Sequence, residues 1–281
     1  MTLKMKLLIS LLFCASTLLS QTSIKGLIKD NIGAPLPYCS IGYLGKTVGT
    51  LSDENGEFEL KLNGVTDSDT IKFFAIGFNE YFISVLEAKK QMSLEIKLQE
   101  AAVELLEVEV SARKVAIDYL GTKKFTTNNC SGFVKNEENW KGSETAINAN
   151  NKVGRDVFLQ NFSFYIIQNK YTDSLKFRLM LYEASEKNYP RLKTILRKPI
   201  VFKVPPGQVG EFIVDITKYN VVTNKNFFIS LECLQNEMEI TKFCYAGSPS
   251  VTSFVKSAAF ARWNRLRGGG ADFKMKVTYN K

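Results

Sequence analysis

Gly49-Thr-Leu-Ser-Asp-Glu-Asn-Gly-Glu-Phe-Glu-Leu60 gathers four acidic residues, an asparagine and a glycine into one short run. It can be read as a calcium loop, as an acidic catalytic pair, or as a turn between two strands. An EF-hand loop needs oxygen ligands at positions 1, 3 and 5, glycine at 6 and a bidentate glutamate at 12. Counting from Asp53 puts Phe58 where the glycine belongs and Gly64 where the glutamate belongs. Counting from Leu51 places Gly56 correctly but leaves Leu51 and Leu62 at the first and last ligand positions. Neither register works. As a hairpin the stretch is coherent: Asn55-Gly56 supplies the positive φ angles of a tight turn, Phe58 and Leu60 alternate inward, and Glu57 and Glu59 face out. Outward glutamates two apart could form a catalytic pair, but unpaired acids on a sandwich surface are ordinarily just solvated.

Around this hairpin the first part of the chain is written in short alternating segments. Strands are predicted over 23–29, 38–43, 46–51, 57–62, 70–75, 81–85 and 93–98, with a single helical turn at 86–91. Many short strands with turn residues between them and almost no helix predict an immunoglobulin-like or transthyretin-like sandwich.

Four motifs sharpen that reading: Ile24-Lys-Gly26 opening the first strand, Gly33-Ala-Pro-Leu-Pro37 before the second, Gly49-Thr-Leu-Ser-Asp53 leading into Asn55-Gly-Glu-Phe-Glu-Leu60, and Ile76-Gly-Phe78 after the fifth. In combination they resemble the carboxypeptidase regulatory-like domain, a transthyretin-like sandwich, over residues 22–98. The resemblance implies a non-catalytic appendage of the kind that recurs in exported proteins of Gram-negative envelopes, often ahead of a receptor barrel or another domain. Leu106-Glu-Val-Glu-Val110 also looks like that setting, although 281 residues leave no space for a barrel.

The N-terminus agrees with export. Lys4 and Lys6 precede an apolar or small run from Leu7 to Ser20, too short for a comfortable membrane span, and residues 1–20 read as a signal peptide. Cleavage after Ser20 and cleavage near Ala15 or Ser16 are both open. Phe13 before Cys14 argues against a lipoprotein signal. The expected location is the periplasm or the outer-membrane surface, with no later run long enough to span a membrane.

Charge divides the remainder. From Thr22 to Arg113 there are 9 basic and 14 acidic residues, a balance of −5; from Lys114 onward there are 26 and 14, a balance of +12. The chain has no histidine. That removes Ser-His-Asp triads, Cys-His dyads and histidine-ligated metals, and nothing calls for a cofactor. Beyond the leader lie Cys39, Cys130, Cys233 and Cys244. Cys233 and Cys244 bridged across a hairpin, or left as buried free thiols, are the alternatives.

After a linker over 99–116 a second, larger domain is expected over 117–281. Its aromatic-rich strands, 156–167, 175–182, 211–215, 227–234 and 273–279, suit a jelly-roll-like sandwich. Alternation places Lys176, Arg178 and Met180 on one face, in solvent or against a ligand, and Phe177, Leu179 and Leu181 in the core.

Candidate binding residues are Arg262, Trp263, Arg265 and Arg267 in Ala261-Arg-Trp-Asn-Arg-Leu-Arg-Gly-Gly-Gly270, with Trp140 of Glu138-Asn-Trp140. Arginines around an indole suit a phosphate or an acidic sugar. Tyr165, Tyr182 and Tyr189 are possible sugar platforms, and Arg191, Lys193, Arg197 and Lys198 form a second basic cluster. The reading is an exported binding or accessory module whose partner is an anionic glycan, lipopolysaccharide or an envelope protein. Nucleic acid is a poor fit for an exported chain. The alternative is a glycan hydrolase working through Glu183, Glu186 or Glu232, the last an acid within an apolar strand.

Overall fold

The computed structural model describes residues 22–102, 115–135, 140–266 and 268–281. Residues 1–20, expected to be a signal peptide, the strand expected at 106–110, Glu138 and Arg267 lie outside the described residues.

The predicted alternation becomes strand almost throughout. The first sandwich runs β1 (Ser23–Lys29), β2 (Ser40–Tyr43), β3 (Gly49–Leu51), β4 (Glu57–Lys61), β5 (Thr70–Phe74), β6 (Tyr81–Ser84), α1 (Val85–Lys89) and β7 (Leu94–Lys97). Ser84 caps the short helix by accepting from the Glu87 N–H. One sheet has the order β4-β1-β7 and the other β3-β2-β5-β6. Ile24, Ile28, Ile41, Phe58, Phe73 and Ile96 fill the space between them.

The stretch 49–60 is therefore not a hairpin within one sheet. The Gly56 N–H donates to the Asp53 carbonyl and the Asp53 N–H to the Glu57 carbonyl, while Asp53 Oδ1 accepts from the N–H groups of Asn55 and Glu57. The strands then part, β3 pairing with β2 and β4 with β1. Phe58 and Leu60 point inward and Glu57 and Glu59 outward, as their alternation requires. Of the two turn residues only Gly56 has a positive φ, +78°. A Cβ there would stand 2.5 Å from the Ile28 carbonyl oxygen. Gly56→Ala is expected to destabilise by roughly 1–3 kcal/mol, read as a lowered urea midpoint; an unchanged midpoint would show that the turn relaxes without cost.

The second sandwich comprises β8 (Val115–Gly121), β9 (Cys130–Ser131), β10 (Glu144–Ala149), β11 (Val157–Asn169), β12 (Leu175–Ala184), β13 (Pro190–Thr194), β14 (Ile200–Val204) and β15 (Gly210–Asp215). It continues with β16 (Val222–Thr223), β17 (Phe227–Cys233), β18 (Phe243–Ser248), β19 (Ser253–Lys256), β20 (Asn264–Leu266), β21 (Gly270–Ala271) and β22 (Phe273–Asn280). A seven-stranded sheet has the path β13-β12-β17-β10-β19-β20, with β14 also on β12. An eight-stranded sheet has the path β21-β18-β11-β22-β8, with β15 and β16 on β11 and β9 on β18. Aromatic rings lock the two together: Phe177 stacks on Phe243 at 5.3 Å and Phe162 lies 6.4 Å from Phe202. The protein is all-β, with two sandwiches in sequence.

Cys244 is bonded to Cys130, not to Cys233. The reason is strand alternation. Phe243 and Tyr245 belong to the core, so Cys244 between them points out of it, whereas Cys233 is itself a core residue. Cys39 and Cys233 are buried free thiols.

Candidate functional site

Four adjacent strands of the seven-stranded sheet each bring one charged residue to the same level. Arg178 on β12 stands opposite Glu232 on β17, Glu232 opposite Glu144 on β10, and Glu144 opposite Lys256 on β19. All four are buried, with exposures of 1–3%. Strand alternation puts them on the side away from the core, where such a row would ordinarily be solvated.

Burial of charge demands pairing, and the row supplies it. Arg178 Nε donates to Glu232 Oε2. Lys256 Nζ lies 2.8 Å from Glu144 Oε1, and Glu144 also accepts from the hydroxyls of Tyr182 at 2.9 Å and Ser230 at 2.7 Å. The Lys256 ammonium sits over the rings of Trp263 at 5.1 Å and Tyr182 at 5.5 Å. Burial raises the pKa of Glu232, against the pull of Arg178 and with the help of the Glu144 charge. Burial works against the Arg178 charge, but Glu232 more than offsets it and holds the guanidinium above its ordinary value. Burial and the Glu144 charge push the Tyr182 phenol well up, so it stays protonated and donates to Glu144.

The row is covered by the first sandwich. Arg178 donates from one terminal nitrogen to the Tyr38 carbonyl at 2.6 Å and from the other to Ser40 Oγ at 3.3 Å. Tyr38 has φ +56°, a conformation uncommon for a bulky residue, and it occupies this position at the junction. Its hydroxyl donates to Glu54, which also pairs with Lys176. Hydrogen bonds from Lys176 first, then from Tyr38, hold the Glu54 carboxyl below its usual range. On the same side the Gly45 N–H donates to the Phe260 carbonyl at 3.0 Å, and the Lys72 ammonium lies 5.1 Å from the Phe260 ring. Gly49 permits the close approach, since a Cβ there would lie 3.3 Å from the Ala259 nitrogen. Phe177, Leu179 and Leu181 lie in the core as expected, but the other face is not open to solvent or a ligand: Met180 belongs to the core cluster as well, and Arg178 is buried against the other sandwich.

The sequence-predicted residues are placed as follows. Arg262 and Arg265 are exposed; Arg262 lies across Gly45 of the first sandwich, and Arg265 stands opposite Phe254 on β20. Trp263 is half-buried, its ring engaged by Lys256 and by Tyr182 at 5.7 Å. Trp140 packs on the core of the second sandwich, and its backbone N–H donates to the Asn236 carbonyl. The two tryptophans are thus held by different elements. Tyr165 leans on Phe125, and Tyr189 meets Phe254 edge-on. The basic cluster divides, Arg191 and Lys193 pairing with Glu183 while the Arg197 carbonyl abuts Gly77.

The acids of the hydrolase alternative are not assembled. Glu183 continues the core-side alternation of β12 and pairs at the surface, Glu186 is exposed, and Glu232 is sealed against Arg178 on the opposite face. Glu144 and Lys256 were missed by sequence reasoning. The available signal was a lone charged residue at one end of each of two short strands, Glu144 opening β10 and Lys256 closing β19. Among the described residues no group of three or more His, Cys, Asp and Glu is placed to hold a metal, and no helix is long and apolar enough to cross a membrane.

Fold and junction together define a two-sandwich protein whose smaller unit docks by one sheet face on the larger. Residues 24–110 match the CarboxypepD_reg-like domain family, so the first sandwich is a domain of that kind. No curated protein matches the sequence. Among solved structures the chain is similar to that of infectious bursal disease virus Gx strain, with 8% identity over 92% of this chain and 56% of that one, at a TM-score of 0.25. The Gt strain of the same virus gives 6% identity, 92% and 62% coverage, and a TM-score of 0.25. The chain thus spans under two thirds of the viral chains, and the likeness has no bearing on what this protein does.

Proposed function

We propose that the protein is an exported, non-catalytic accessory module of the cell envelope. In this reading the regulatory-like sandwich fixes the orientation of a basic second sandwich, which contacts an anionic envelope component, either an acidic glycan or lipopolysaccharide phosphate. The observation that carries it is the basic ridge at the junction: Arg262 and Arg265 are exposed, and Arg262 is braced across Gly45 of the neighbouring sandwich. An arginine so held loses less freedom on binding an anion than one on a mobile loop. The balance of +12 after residue 113 favours the same partners. Export is supported by the reading of residues 1–20 and by the Cys130–Cys244 bond, since disulfides persist in oxidising compartments.

The test is retention on immobilised lipopolysaccharide and heparin. Arg262→Ala with Arg265→Ala is expected to weaken binding by roughly ten- to thirty-fold, at about 1 kcal/mol per charge near an anionic surface. Unaltered retention would remove the ridge from the proposal. Recovery of the chain from the cytoplasm, with residues 1–20 still attached, would remove export.

A further inference from the structure

A second surface of different character lies on the far sheet. Met275, Val277 and Phe162 point into the core, so their neighbours on β22 and β11 point out. The register then places Tyr119, Lys276, Asn161 and Asp215 side by side across β8, β22, β11 and β15. At strand spacing this row spans about 14 Å, a length suited to an extended chain rather than a small molecule.

The next row is locked. The Lys274 ammonium is 4.4 Å from the Phe125 ring, 5.7 Å from the Tyr119 ring and 2.8 Å from Glu211 Oε1. These contacts fix one side of Tyr119 and leave the residue 43% exposed. The Tyr119 row itself has unused capacity. Lys276 forms no ion pair and the Asn161 amide no hydrogen bond among the described residues. Asp215 forms no ion pair with Lys276 among the described residues; its carboxylate accepts from the Thr217 N–H at 2.9 Å and hydroxyl at 2.7 Å and keeps its negative charge at the far end of the row. Lys123 and Lys124, exposed on the segment leading to Phe125, add positive charge and form no ion pair among the described residues.

We propose that this open face binds an acidic polysaccharide, a chain of uronate or sulfated pyranoses. A sugar ring stacks on Tyr119, Lys276 takes the carboxylate or sulfate, and Asn161 bonds a hydroxyl. Pre-set aromatic and polar groups on a rigid sheet give both stacking and orientation, and the charge complements the ligand. The site is separate from the Arg262 ridge and does not depend on it.

Gel affinity electrophoresis of the full chain in alginate, dextran sulfate and unsubstituted dextran tests it. Retardation is expected in one or both of the acidic gels and not in dextran; the gel that retards identifies the acidic group. Tyr119→Ala should weaken binding roughly five-fold. Lys276→Gln should weaken it by a similar factor and flatten its salt dependence. Because the Arg262 ridge is itself proposed to bind anions, the losses from Tyr119→Ala and from Lys276→Gln should persist when each is placed on the Arg262→Ala, Arg265→Ala background. Far-UV circular dichroism checks that each variant is folded, which the surface positions favour. The proposal is overturned by no retardation in either acidic gel, by equal retardation in dextran, by wild-type binding in either single variant, or by loss confined to the arginine variant.

Discussion

Replacement of Arg178 by methionine should destabilise the protein by about 3–5 kcal/mol, the usual consequence of removing one partner of a buried ion pair. Glu232 would be left 1% exposed beside the Glu144 carboxylate, with its strongest counter-charge gone. The pH dependence gives the sign. Burial already raises the folded-state pKa of Glu232, and losing Arg178 raises it further. A carboxyl raised in the folded state contributes stability that is present below its unfolded pKa and lost as pH rises through the folded value. The deficit of Arg178→Met should therefore be smallest near pH 4–5 and largest at neutral pH. Urea unfolding across that range measures it. A deficit below about 1 kcal/mol, or one that grows on acidification, would contradict the buried row. Adding Glu232→Leu should recover the part due to unpaired charge. It should not recover the part due to the Tyr38 carbonyl, which loses its donor in both variants.

The second large effect concerns Cys130 and Cys244, bonded across a separation of 114 residues. Chain entropy assigns such a closure about 4–5 kcal/mol, so Cys130→Ser should lower the urea-unfolding free energy by that order. Thiol labelling gives an independent check in a chain starting at Thr22. Burial pushes Cys39 up to about 11 and Cys233 to about 12, so neither should alkylate in the native protein at pH 8. Unfolding without reductant should release those two alone, and reductant should add Cys130 and Cys244. Labelling of Cys130 before reduction would sink the pairing.

What the sequence disclosed follows from how far apart the interacting residues lie. The stretch 49–60 was readable because a turn and its flanking alternation are local; the role of Gly56 is visible in two neighbouring residues. That β3 and β4 enter different sheets was not readable, since it depends on β1 and β2, which choose the partners. The same distinction governs the cysteines. Proximity in sequence suggested Cys233 with Cys244, but the direction of each thiol is set by the sheet it belongs to. Glu232 stood out as an acid in an apolar strand, yet its partner lies 54 residues away on β12. At the candidate ridge the arginines were legible as surface residues. The capture of Trp263 by Lys256 and Tyr182 was not, because it joins three separate elements.

The junction also limits how interchangeable the first sandwich can be. The first sandwich matches a family model by itself, but here β2 is buried along its whole length, and Gly42, Gly45 and Gly49 leave little space for side chains beside residues 258–262. A foreign domain of the same fold, grafted in its place, would have to reproduce those bare positions as well as the Tyr38 carbonyl and the Ser40 hydroxyl. Interchangeability ends at that seam, and drift on one side of it is constrained by the other.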